Sequence, residues 1–184
     1  KESYWTAYNE VIGLIDWVST ISISDEDKQL LSPSIPRSRN LLQFEDRFME
    51  KNRNTLTAFD ASEGALYVLY MAALAILPTA PGFLAIDNMD QTLNPRLARN
   101  LVSKLCKWTF DLNTGRQILF TIHNPSALDG LDLTDNRVRL FSVNKNNRGF
   151  TTVTRIALSE EILEKNWPLS RLWVNGMIQG VPSI

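Results

Sequence analysis

Two short apolar runs, each ending in a polar residue suited to chemistry, constrain this chain more than any other feature. Phe83-Leu84-Ala85-Ile86 runs into Asp87, and the run from Gln117 to Ile122 ends at His123, the only histidine. Continuous apolar runs of this length predict strands buried on both faces of a parallel sheet. Between them, Asn94-Pro95 is a helix start, with asparagine as cap and proline at the first helical position. Leu97, Leu101, Leu105 and Trp108 then share one helical face, and Asn113-Thr114-Gly115 ends the helix. Two strands joined by a crossover helix predict an α/β fold with parallel core strands. Open sheets of that kind bind ligands at the carboxyl ends of their strands, which is where Asp87 and His123 fall.

The rest of the chain gives weaker signals. Trp5, Tyr8, Ile12, Ile15 and Val18 recur at three- and four-residue steps and predict an amphipathic helix over 4–18. Residues 19–40, with Ser32-Pro33-Ser34-Ile35-Pro36, read as an irregular connection, and the charged stretch 43–54 as a helix with a solvated face. Asp60-Ala61-Ser62-Glu63-Gly64 is turn-like and opens an apolar helix to Leu77, which Pro78 and Pro81-Gly82 end. Stretches 138–143 and 150–157 flank a polar turn over 144–149 as a β-hairpin, and a short helix follows near 160–165. The expected organisation is a helical arm over 1–54 and a core over 55–184.

At 44% hydrophobic and 21% charged residues the chain is globular, and its net charge of −1 creates no global field that recruits nucleic acid or an acidic membrane. Arg37, Arg39, Arg47, Lys51 and Arg53 alternate with acids and read as a solvated face. A single cysteine, Cys106, excludes an internal disulfide framework and reads as a small buried hydrophobe in a reducing cytosol. No apolar leader follows Lys1, and the longest apolar run, 65–77, falls short of the roughly 20 residues a membrane span needs. Trp167 and Trp173 are expected to pack against the domain.

Three constellations carry chemistry. Asp87 can hold Mg²⁺ through water, since that ion keeps its waters and takes few protein ligands; its simplest alternative is a turn cap. Ser62 and Gly64 combine a hydroxyl, a permissive backbone and a helix amino terminus into an anion site; alone, they would be an ordinary helix cap. Thr121-Ile122-His123-Asn124-Pro125-Ser126 sets the lone histidine at the end of the second buried strand, and lone histidines are more often structural.

Their order decides between these alternatives. Ser62-Glu63-Gly64 resembles an ABC signature, Phe83–Asp87 a Walker B strand, Leu93-Asn94-Pro95-Arg96-Leu97 a D-loop segment, and His123 the switch histidine of the H-loop. The chain resembles the carboxy-terminal half of ABC-type P-loop ATPases of the SMC, RecF and OLD branch, well over about 55–143 and loosely in its flanks. Its Gly176, Gly180 and Pro182 are similar to the ending of some defence-associated ATPases. The resemblance implies ATP and Mg²⁺ as cofactors, Asp87 toward the metal, Asn88 and His123 as catalytic positions, and Ser62, Glu63, Gly64 and Asp90 toward nucleotide. No Gly-x-x-x-x-Gly-Lys-Ser/Thr occurs in these 184 residues, so such a phosphate loop is expected upstream of residue 1, unless the protein has none.

One departure matters. Most members carry Glu after the Walker B Asp, and this chain carries Asn88, which can orient water but cannot take its proton. ATP binding with slow hydrolysis is expected, with Asp90 a conceivable substitute base. The resemblance further implies a cytoplasmic ATPase without a membrane partner, pairing with a second ATPase subunit. It would switch a nuclease effector in prokaryotic anti-phage defence, as in Septu-like or retron-associated systems, with nucleic acid a further conceivable partner. A RecF- or SMC-like ATPase of DNA repair or chromosome maintenance is the alternative, favoured by a long heptad-repeat insertion that is not visible here. A transporter subunit would carry Leu-Ser-Gly-Gly-Gln and a glutamate at 88.

Overall fold

The computed structural model describes residues 2–24, 40–113 and 115–178. Arg37, Arg39, the proline-rich part of the expected connection, Gly180 and Pro182 lie outside them. The chain forms two compact units, Lys1–Pro81 with Asp111–Thr114, and Gly82–Phe110 with Gly115–Ile184.

In the first unit, α1 (Glu2–Leu14) leads into an antiparallel sheet of β1 (Val18–Ser24), β2 (Leu41–Asp46) and β3 (Thr55–Thr57), in that order, followed by α2 (Glu63–Ile76). The helix predicted over 4–18 therefore stops at Leu14, and its Val18 begins a strand. The irregular connection gives way to β1 through Ser24. The helix predicted over 43–54 is replaced by the end of β2 and a turn. Val18, Thr20, Ile21 and Ile23 make the segment rich in β-branched residues, which favours a pleated strand. Asp46 disfavours a helix after β2: its Oδ1 accepts the N–H groups of Phe48 (2.7 Å) and Met49 (3.2 Å), closing a local turn. Packing fixes the register. Phe44, fully buried, pairs with Ile21, and its ring lies 5.7 Å from that of Trp17. The Tyr8 hydroxyl donates to the Ile21 carbonyl at 2.8 Å and ties α1 to β1.

The second unit begins with β4 (Phe83–Ile86), followed by α3 (Pro95–Asp111) and β5 (Gln117–Phe120). The two strands are parallel, as the crossover pattern required. Asn94 Oδ1 accepts the Leu97 N–H at 2.9 Å, so the Asn-Pro helix start holds. Asn113 and Gly115 leave the helix at positive φ, 46° and 66°. The expected burial of both strand faces does not hold: Phe83 is 57% and Leu119 58% exposed. After α4 (Pro125–Leu128), the hairpin of β6 (Leu140–Lys145) and β7 (Thr151–Ile156) forms as predicted. The short helix α5 (Glu160–Glu164) is also in place, and α6 (Leu169–Val174) adds an element the sequence did not announce. Leu128, Leu169, Leu172 and Ile178 form a core cluster, against which Trp167 and Trp173 pack. Asp129 pins α6 to α4, accepting the Ser170 N–H at 2.8 Å and its hydroxyl at 2.7 Å.

Two predictions arise from this packing. A Cβ at Gly130 would lie 2.3 Å from the Arg99 carbonyl oxygen and 2.8 Å from Val102 Cβ. The carbonyl belongs to α3 and cannot swing aside, so Gly130→Ala is expected to cost about 1–3 kcal/mol, read as a lower urea midpoint. Burial, reinforced by the negative charges of Asp135 and Asp132, pushes the Cys106 thiol up to about 11. At pH 8 only about one thiol in a thousand is then thiolate, so Ellman's reagent should react slowly with native protein and rapidly in denaturant.

Candidate functional site

The parallel register runs from Phe83 opposite Gln117 to Ile86 opposite Phe120, so β4 and β5 end level. The next residues, Asp87 and Thr121, are thereby brought side by side. The Thr121 N–H donates to the Ile86 carbonyl at 3.0 Å, and the Met89 N–H to the Thr121 carbonyl at 3.1 Å. The Thr121 hydroxyl donates to Asp87 Oδ1 at 2.5 Å and accepts the Asn88 N–H at 2.8 Å. One hydroxyl thus orients the carboxylate and the following residue together.

Asn88 sits at φ 51°, in the left-handed region that asparagine tolerates better than most side chains. This bend folds the chain under the sheet edge: Met89 is fully buried and Asp90 only 5% exposed. Asp90 Oδ2 accepts the His123 N–H at 3.0 Å and also the Asn124 N–H. Asn124 in turn caps α4, accepting the Ser126 N–H at 3.0 Å with Pro125 at the first turn. His123 stands exposed between these anchors. Asn88, Asp90, Gln91, Leu93, His123 and Asn124 line one surface cleft.

Sequence reasoning placed Asp87, Asn88, Asp90 and His123 at one edge, and they meet there. Asp90 is buried with its carboxylate on two backbone amides, so as placed it positions the turn that carries His123 and is not a free base. Thr121 was missed as a site residue, although it stood in the same motif two positions before His123. Asn124-Pro125 repeats the Asn94-Pro95 cap signal and could have been read the same way.

Ser62, Glu63 and Gly64 lie in the first unit, at the start of the 14-residue helix α2. Ser62 has extended backbone angles, and its hydroxyl accepts the Ala65 N–H at 3.3 Å. The turn before it is locked on buried Thr57, whose N–H (3.0 Å) and hydroxyl (2.7 Å) both donate to Asp60 Oδ2. Ser62 and Glu63 are exposed on this fixed turn. The sequence offered Asp60 only as turn-like; its side chain reaches back three residues to Thr57 and locks the turn.

The donor chemistry fits Mg²⁺. Asp87 is a single exposed carboxylate at a strand end, and among the described residues no group of three His, Cys, Asp or Glu could hold a metal. A thiophilic or imidazole-seeking ion would want such a group, whereas Mg²⁺ held largely through water needs one or two carboxylates.

The parallel strand pair, its crossover helix and the carboxylate at the strand edge make an α/β arrangement that fits the fold of the ABC-type P-loop ATPases. The chain belongs to the family described as "AAA domain, putative AbiEii toxin, Type IV TA system", whose model matches residues 10–129. That span includes every site residue from Ser62 to Asn124. No curated protein matches. A solved structure from work on ATP-driven dimerization and DNA-stimulated activation of SMC ATPases is similar at 13% identity. Its TM-score is 0.49, over 90% of this chain and 93% of that one. Among the described residues no helix is long and apolar enough to cross a membrane.

Proposed function

We propose that the chain is the carboxy-terminal part of an ABC-type ATPase acting as a nucleotide-dependent switch, in which two copies sandwich ATP and so control a nuclease effector in prokaryotic anti-phage defence. The observation that carries this reading is the hydrogen-bonded edge where Asp87, Asn88, Asp90 and His123 meet at the ends of two parallel strands. The family description, which names a toxin of a toxin–antitoxin system, supports a defence setting.

Each residue has a part in it. Asp87, oriented by Thr121, would hold Mg²⁺ through water; when bound, the ion neutralises phosphate charge. His123, on a turn fixed by Asp90, contacts the γ-phosphate of nucleotide in its own subunit. Asn88 hydrogen-bonds the attacking water without taking its proton, which keeps turnover slow and the ATP-bound state long-lived. Ser62 and Gly64 present the amino terminus of α2 to the γ-phosphate held by the partner.

Static light scattering of the full-length protein tests the sandwich. Wild type should double its mass with ATP–Mg, and Ser62→Arg should remain single while still binding nucleotide. Ser62→Ala, which loses the helix cap at about 1 kcal/mol but adds no bulk, should keep much of the pairing. If Ser62→Arg pairs as wild type does, residues 60–64 are only a cap.

A further inference from the structure

The β6–β7 hairpin has an outer face that the nucleotide reading leaves unused. From Asn136 to Leu158 the sequence holds five Arg or Lys and no Asp or Glu, on a chain whose net charge is −1. Arg137 is engaged, forking onto Asp135 at 2.6–3.0 Å and lying over the Phe110 ring at 3.9 Å. Among the described residues no salt bridge engages Arg139, Lys145, Arg148 or Arg155.

Strand alternation sorts these side chains. Leu140 and Ile156, paired across the hairpin, turn inward and pack on the cluster around Leu172. Their neighbours of opposite parity therefore share the outer face. There Phe141 pairs with Arg155, Val143 with Val153, and Lys145 with Thr151, while Arg139 continues the same side of β6. Phe141 is 47% and Val153 65% exposed, and the hairpin tip adds Arg148 and a Phe150 that is 66% exposed. Exposed phenylalanine is costly on a free surface, and among the described residues no salt bridge opposes these cations. One polymer chemistry answers both: a phosphate backbone for the cations and unpaired bases for the rings. A duplex hides its base faces, and an acidic polypeptide offers few π faces, so each fits only half of the surface.

We propose that this outer face of the hairpin, with its tip, binds single-stranded nucleic acid, the arginines and Lys145 on phosphates and Phe141 and Phe150 stacking on bases. The inference is independent of the ATP sandwich, since none of its residues belongs to the cleft of Asn88 and His123.

The test is fluorescence anisotropy of the full-length protein with labelled oligo-dT of about 20 nucleotides and a duplex of equal length, across a salt series. Single strand should bind at least tenfold tighter than duplex, with log K falling against log salt at a slope of about −2 to −3, as three or four phosphate contacts require. K145E/R148E should weaken binding at least tenfold and flatten that slope. Phe141→Ala should weaken it about fivefold or more and leave the slope unchanged, with far-ultraviolet dichroism confirming the fold. Absence of binding at low salt, equal binding of duplex, or indifference to both variants would overturn the proposal. So would competition by polyglutamate as effective as that by unlabelled oligo-dT, which would assign the face to an acidic polypeptide.

Discussion

Replacing Asn88 by glutamate is expected to raise steady-state ATP turnover of the full-length protein by about 10²–10⁴, the gain a positioned general base brings. The amide at position 88 can hold the attacking water through a hydrogen bond but has no basic lone pair for its proton. Glutamate restores that acceptor. The backbone opposes the change, because Asn88 sits at φ 51° and a glutamate there loses the tolerance that asparagine has for left-handed geometry. That penalty is about 1–2 kcal/mol of folding stability, against roughly 3–5 kcal/mol off the barrier, so the chemistry wins while the protein stays folded. Asn88→Asp separates the two effects. Aspartate accepts left-handed backbone and carries a carboxylate, but is one methylene short, so its turnover should fall between the other two at undiminished stability. A folded Asn88→Glu protein with wild-type turnover would place the cause of slow hydrolysis elsewhere.

The same φ gives Asn88 a second reason to be asparagine, and this could not be read from the sequence. What could be read was local. An apolar run closed by Asp87, an Asn-Pro cap and a Leu-patterned face each report on neighbours within a few residues, and β4, α3 and β5 stand where those signals put them. The first unit was misread because its decisive contacts are distant. The pairing of Ile21 with Phe44 spans a stretch where charge and proline dominate, and the charges after Gln43 looked helical without that partner. The outer faces of β4 and β5 were misjudged for a related reason, since an apolar run reports what a strand can bury and not what covers it. At the site, Thr121 joins Asp87 and Asn88 across 34 and 33 residues. Such a contact exists only once the parallel register is known. The resemblance set Asp90 toward nucleotide, and only the fold shows that it is also buried with its carboxylate bracing two backbone amides.

That brace has the second large consequence. Asp90→Ala leaves the part-buried N–H groups of His123 and Asn124 beside an apolar methyl, without the carboxylate that accepts both. Hydrogen bonds to a charged acceptor are worth about 1.5–3 kcal/mol each, so a loss of about 2–5 kcal/mol is expected, a large share of a typical domain's stability. Asp90→Asn keeps one acceptor oxygen and should cost about half as much, which makes it the better variant for activity. Its turnover should fall because the histidine's backbone is no longer held, while Mg²⁺-dependent nucleotide binding through Asp87 persists. A double-mutant cycle with His123→Ala distinguishes bracing from direct contact. If Asp90 acts through the His123 turn, Asp90→Asn in the His123→Ala background should lower stability further but not turnover. If the turnover losses instead add, Asp90 meets the nucleotide itself, as its place in the D-loop first suggested.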